Sequence, residues 1–212
     1  MFKKRQEKIF CIGFNKTGTT SIEKVLEDFN INIGNQRKAE LLLDNWNERD
    51  FKAIENYVKS ASAFQDIPFS LPYTFIALHQ KFPNAKFILS IRDDADQWYN
   101  SIVNFHSKLW SNGTDVPTVY NLKNAEYCYK GYAYNYMKFV YNTPDDDLYN
   151  KEMLVQTYNN HINTVKDFFR SKSKKLIIIN TSIKNDYFRL CDFLNEKPFY
   201  NGFPWENKTS DI

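Results

Sequence analysis

Ile9-Phe10-Cys11-Ile12-Gly13-Phe14-Asn15-Lys16-Thr17-Gly18-Thr19-Thr20-Ser21 carries a strand, a glycine turn and a helix start in one run. Ile9 to Ile12 is continuously apolar, the pattern of a buried strand. Gly13 and Gly18 bracket a polar turn and supply the close approach that a side chain would block. Thr19, Thr20 and Ser21 open a helix that continues through Ile22, Val25, Leu26 and Phe29. A strand, a turn of this type and a helix N-terminus converge backbone N–H groups on one point, where the helix dipole favours an anion.

The turn is not that of an ordinary nucleotide-hydrolysing loop. G-x-x-x-x-G-K-[ST] places its lysine directly after the second glycine. Gly13 and Gly18 keep that spacing, but Thr19 stands where the lysine would be, and Lys16 lies inside the loop instead. Its ammonium approaches a bound anion from the loop side. Thr19 and Thr20 offer hydroxyls where the lysine and the magnesium-binding Ser/Thr would stand.

Lys16-Thr17-Gly18-Thr19-Thr20-Ser21 resembles the 5′-phosphosulfate loop of PAPS-dependent sulfotransferases, whose pattern is P-K-[ST]-G-T-T. Asn15 takes the proline position. The resemblance implies a cofactor-binding set of Asn15, Lys16, Thr17, Gly18, Thr19 and Thr20, with Lys16 also catalytic. A second segment is similar to the family's 3′-phosphate site. The strand Lys86–Ile91 ends at Arg92, and Ser101 follows in a helix. Arginine presents a permanently charged planar fork to phosphate. The Arg92–Ser101 interval is one residue longer than the commoner family spacing, so Asn100 is the alternative to Ser101. The other reading of Arg92 is an ion pair with Asp93 or Asp94.

Ala63-Phe64-Gln65-Asp66-Ile67-Pro68 reads as a strand stopped by proline. Ligands gather at the carboxyl ends of strands in open parallel sheets, which puts Asp66 beside the loop if its strand neighbours the first. Cytosolic-type sulfotransferases carry their general base in an H-x-P segment here. By similarity Asp66 is the candidate base, against a plain turn- or helix-capping role. As a base for an alcohol it needs burial to raise its pKa.

Net charge is only +3, compatible with an anionic ligand and too small to indicate nucleic acid. Lys3-Lys4-Arg5 and Lys172 to Lys175 read as solvated surface. No run is long and apolar enough to span a membrane, and the N-terminus lacks a signal-peptide core. Cys11, Cys128 and Cys191 are odd in number and far apart, the pattern of free thiols in a reducing compartment. A cytoplasmic location is expected. Asn112-Gly113-Thr114 matches a glycosylation acceptor only by chance frequency.

Elsewhere the pattern expects a short strand at Ile31–Ile33, helices over 37–60 and 70–82 with no obvious site in the first, and a helix from Ala95 through Trp110. The tyrosine-rich stretch from about 119 to 141 admits two readings: an acceptor-covering insertion, or an aromatic packing surface. Asp145-Asp146-Asp147 reads as a helix N-cap with solvated charge. A helix over about 148–171 places Leu154, Tyr158, His161, Val165 and Phe168 on one face, with His161 a hydrogen-bonded packing residue. A strand at Leu176–Ile179 and a helix from Asp186 to Asn195 follow. Tyr158-x-x-His161, Leu190-Cys191-x-Phe193-Leu194 and Phe203-Pro204-x-x-Asn207 also resemble a sulfotransferase subfamily, but the family's R-K-G element is missing.

The fold expected is α/β: one P-loop-type domain over 1–212, with about four or five parallel strands flanked by helices. A helical insertion, about 105–145, follows the 3′-phosphate motif. The function expected is metal-independent, in-line transfer of a sulfuryl group from PAPS, leaving PAP, to a hydroxyl or amine of a small-molecule or glycan acceptor. The alternatives are a P-loop kinase or NTPase and a non-catalytic nucleotide binder. Acceptor and oligomeric state are not legible.

Overall fold

A computed structural model describes residues 7–113 and 115–204. Lys3-Lys4-Arg5, Thr114 and Asn207 lie outside the described residues.

Four parallel strands, β1 (Ile9–Cys11), β2 (Ala63–Phe64), β3 (Lys86–Ser90) and β4 (Leu176–Ile179), form one sheet in the order β2-β1-β3-β4. Their register pairs Phe10 with Phe64 on one side and Cys11 with Ile88 on the other. Alternate residues of a strand face opposite sides, and β1 shows it. Phe10 and Ile12 enter one apolar core, Ile9 and Cys11 the other. The first core packs against α5 (Thr74–Lys81), α6 (Ala95–Trp110) and α9 (Lys151–Phe169). The second packs against α1 (Thr19–Asp28) and α10 (Lys184–Leu194), through Ile22, Val25 and Leu26 from one and Tyr187, Leu190 and Leu194 from the other. A sheet buried on both faces explains why the strands read as continuous apolar runs.

The chain leaves β1 to one side for β2 and later to the other for β3. The crevice at the carboxyl ends of β1 and β3 is thus the topological switch point, where ligands of such sheets bind. The loop after Cys11, Asp66 after β2 and Arg92 after β3 all emerge there.

Several local expectations need correction. Ile31–Ile33 is not a strand: it contributes only a single bridge, Ile33 to Ala63. Gly34 lies flat against the Phe64 ring, and Asn35 immediately caps the next helix, so the chain turns away. The helical stretch 37–60 is broken into α2 (Gln36–Glu40), α3 (Leu43–Asn47) and α4 (Phe51–Tyr57), followed by a 3-10 turn, Val58–Ser60. The acidic run caps nothing. Asp145 pairs with Lys138 at 3.1 Å, and Asn150 caps α9 by accepting the Met153 N–H at 3.0 Å. On α9 it is Phe169, not Phe168, that is fully buried. The tyrosine-rich stretch holds α7 (Val119–Asn124) and α8 (Tyr132–Tyr136), the latter running into a π-helical turn, Met137–Tyr141. Among the described residues no helix is long and apolar enough to cross a membrane.

Candidate active site

The loop is built on close contacts. A Cβ on Gly13 would come 2.2 Å from Ser90 Oγ, so only glycine lets the exits of β1 and β3 touch. Gly18 sits at φ +91, and a Cβ there would meet Thr181 Oγ1 at 2.2 Å. Thr17 is fully buried; its hydroxyl donates to the Phe14 carbonyl at 2.5 Å and shares a hydrogen bond with Ser90 Oγ at 2.6 Å. Its side chain braces the loop. Trp98 Nε1 donates to the Asn15 carbonyl at 3.1 Å, and Tyr136 Oη donates to Asn15 Oδ1 at 3.3 Å. Asn15 is therefore held from two helices where the family pattern has a proline.

Helix α1 begins at Gly18 with no side-chain cap and no acidic residue in its first turn. Its first N–H groups and its dipole are left for an anion. Lys16, itself at φ +64, carries its ammonium into the same cavity, 3.9 Å from the centre of the Phe105 ring. Burial lowers its pKa, the Arg92 charge adds to this, and Asp66 opposes it. Arg92 donates from Nε to the Lys16 carbonyl at 2.6 Å and from its backbone N–H to Tyr158 Oη at 3.0 Å. It makes no ion pair with its acidic neighbours. Asp93 accepts from Asn180, Gln97 and Ser182, while Asp94 caps α6 through the Gln97 N–H at 2.6 Å. The arginine thus ties the end of β3 to the loop and lines the cavity.

Asp66 follows β2 at φ +54. Its Oδ1 accepts the Ile67 N–H at 3.0 Å. Desolvation raises its pKa to about 7; the Glu40 and Glu23 charges add to the rise, and the Ile67 N–H and Lys16 oppose it. Its side chain is half-buried and lines the cavity.

One cavity of about 210 Å³ gathers Asn15, Lys16, Gly18, Thr19, Thr20, Asp66 and Arg92. Thr17 and Ser101 are not on its wall. Ser101 lies half-buried on α6, three residues after Trp98 and four before Phe105. Since Trp98 holds Asn15 and Phe105 lies under Lys16, Ser101 shares the helix face turned to the loop. Asn100 is exposed.

The rest of the wall lies outside the motif residues. It consists of Glu40, Phe105, His106, Trp110, Tyr127, Tyr132 and Tyr136. Glu40, at the end of α2 in a stretch that showed no obvious site, is only 5% exposed. It accepts from Tyr127 Oη at 3.2 Å, Cys128 Sγ at 3.1 Å and Arg37 at 3.0 Å. His106 shares a hydrogen bond with Tyr149 Oη at 3.0 Å, and burial holds its pKa down to about 3, so it is neutral. The structure shows the packing role of the tyrosine-rich stretch and its place on the cavity wall. Tyr132 and Tyr136 are core residues and also cavity wall. His161 packs as expected: Nε2–H donates to the Ile12 carbonyl at 2.7 Å, at the root of the loop.

A helix-covered four-stranded parallel sheet with a glycine loop at its switch point is consistent with a P-loop-like sulfotransferase fold. The sequence matches the sulfotransferase domain model over residues 8–212. The chain belongs to that family, and sulfuryl transfer is its class of chemistry. Comparison with curated proteins finds no match.

Proposed function

We propose that the protein moves a sulfuryl group from PAPS to a hydroxyl or amine of a small acceptor, releasing PAP. The observation that carries this reading is one cavity holding a cationic, amide-lined end and a carboxylate of raised pKa. The residues present fit the donor's anionic part. Uncapped α1 amides, the Thr19 and Thr20 hydroxyls, Lys16 and the Arg92 fork supply donors and positive charge without a competing acid in the first turn. When bound, PAPS supplies an activated sulfuryl group on a phosphate leaving group.

Asp66 takes the proton from the acceptor as its oxygen or nitrogen attacks sulfur. Lys16 meets the charge that grows on the phosphate oxygen as the sulfur–oxygen bond breaks. The α1 amides hold the non-bridging oxygens. Catalysis of this kind is positioning and fixed electrostatics. Arg92, with Ser101 on the loop-facing side of α6, grips the 3′-phosphate. The segment 119–141 covers the acceptor.

Calorimetry of PAP against ADP and AMP without magnesium tests the donor. PAP should bind tightest, and Arg92→Ala should weaken it by about tenfold to several-hundredfold. ADP binding as tightly as PAP, or a magnesium requirement, would overturn the donor assignment in favour of a kinase.

A further inference from the structure

Beyond Phe105 and Tyr136, which contact Lys16 and Asn15, the rest of the cavity wall is acidic and aromatic: Glu40, Trp110, Tyr127 and Tyr132 have no role in the donor site proposed above. Glu40 is buried against the cavity, and its two oxygens are unequally served. Oε2 accepts from Arg37 and Cys128, whereas among the described residues Oε1 accepts only from Tyr127. A carboxylate oxygen has room for two donors. Arg37 does not line the cavity, and its side chain is 61% exposed, so water screens its charge.

Around Glu40 stand Trp110, Tyr127 and Tyr132. Trp110 meets Tyr127 edge-on, with ring centres 5.8 Å apart. Tyr127 already holds a cation on its face: the Arg37 guanidinium lies 3.9 Å from the ring centre. Tyr132 is 2% exposed, and its hydroxyl has no hydrogen-bond partner. Aromatic faces beside a carboxylate attract an ammonium group. The cations Lys16 and Arg92 line the same cavity. The cavity thus combines cations carried by the loop and by the end of β3 with a carboxylate from α2, and Asp66 is within electrostatic reach of both Lys16 and Glu40.

We infer that the acceptor is a small amino alcohol or aminophenol whose ammonium group is held by Glu40 within the Trp110, Tyr127 and Tyr132 wall while its hydroxyl is presented to Asp66. This rests on the sulfuryl-transfer reading of the cavity. An anionic acceptor meets two carboxylates there and is rejected.

Three phenols of similar size and different charge serve as probes: tyramine, 4-ethylphenol and 3-(4-hydroxyphenyl)propionate. Their affinities for the protein saturated with PAP, and their rates of sulfuryl transfer from PAPS, are measured on wild type and Glu40→Gln. The expected result is tyramine preferred over 4-ethylphenol by at least about tenfold, with the carboxylate poorest. In Glu40→Gln the preference shrinks to within about threefold while PAP affinity is unchanged. Tyramine binding no tighter than 4-ethylphenol, including no binding of either, overturns the inference; so does a preference that Glu40→Gln leaves intact. PAP binding is read separately, so a charge-blind acceptor site with tight PAP binding removes this inference alone, and loss of PAP binding in wild type removes the donor reading. If Glu40→Gln fails to fold, Trp110→Leu decides, because Trp110 makes none of the Glu40 hydrogen bonds. It should weaken tyramine by at least about threefold more than 4-ethylphenol, and equal losses overturn the inference.

Discussion

The two ends of the cavity are made in opposite ways. The loop end is contiguous: Asn15 to Thr20 supply most of it, largely through backbone groups, and the surroundings brace it through Ser90, Thr181, Trp98 and Arg92. The facing end is assembled from three distant pieces, α2, α6 and residues 127–136, and works through side chains. A backbone site demands particular residues at fixed spacing, because only glycine tolerates Gly18's φ and only a loop lysine reaches inward. A side-chain site demands only that the tertiary fold deliver suitable groups. The first end is suited to a constant ligand, the second to one that differs among relatives.

If the loop end is the electrostatic centre, Lys16→Ala should produce the largest loss, lowering sulfuryl transfer by about 10²–10³-fold. Circular dichroism and melting temperature should stay near wild type, because among the described residues no acidic group forms an ion pair with the ammonium. A variant that loses less than tenfold would move the centre away from the loop.

If the loop is held by steric fit, Gly18→Ala should destabilise the fold by about 1–3 kcal/mol, from the positive φ and the Thr181 contact together. Denaturant unfolding reads this, and PAP affinity should fall with it. An unchanged midpoint would show that the loop has slack.

The smallest effect links the ends. Glu40 is the strongest neighbouring charge holding the Asp66 pKa up. Glu40→Gln removes that charge, so the acid limb of the pH–rate profile should move to lower pH, by less than about one unit. A limb that stays or moves upward would disconnect the two carboxylates.

The same contrast explains what was legible in the sequence. Asn15, Lys16, Thr19 and Thr20 follow from local motif chemistry. The placing of Asp66 follows from the rule that strand ends meet at the switch point, Arg92 from its resemblance to the family's 3′-phosphate segment, and both line the cavity. Thr17 belongs to the motif, yet its hydroxyl is consumed inside the loop. Ser101 is reached only by helix-face reasoning, since it is not on the wall. Glu40 was hidden because it sits in Gln36-Arg37-Lys38-Ala39-Glu40, a polar stretch that looks like solvated surface. Its one signal is position: it adjoins Ala39 and lies three residues before Leu43, both buried, which sets a carboxylate beside an apolar stripe. The tyrosines gave no means of choosing between wall and core, because a ring can be both. The broken helices of 37–60 were obscured by caps at Asn35 and Asp50 that only the folded chain reveals.

The most direct test of the account is the pH dependence of sulfuryl transfer in wild type and Asp66→Asn, with PAP affinity measured alongside. The Asp66 carboxyl is raised from an ordinary 3.8 to about 7. A base works only when ionised, so the wild-type rate should rise with pH up to about 7 and level off above it. Asp66→Asn should lower the plateau by about 10²-fold or more and abolish that limb, with PAP affinity within about twofold of wild type. A variant that keeps the wild-type rate and the same limb would contradict Asp66 as the group that takes the acceptor proton.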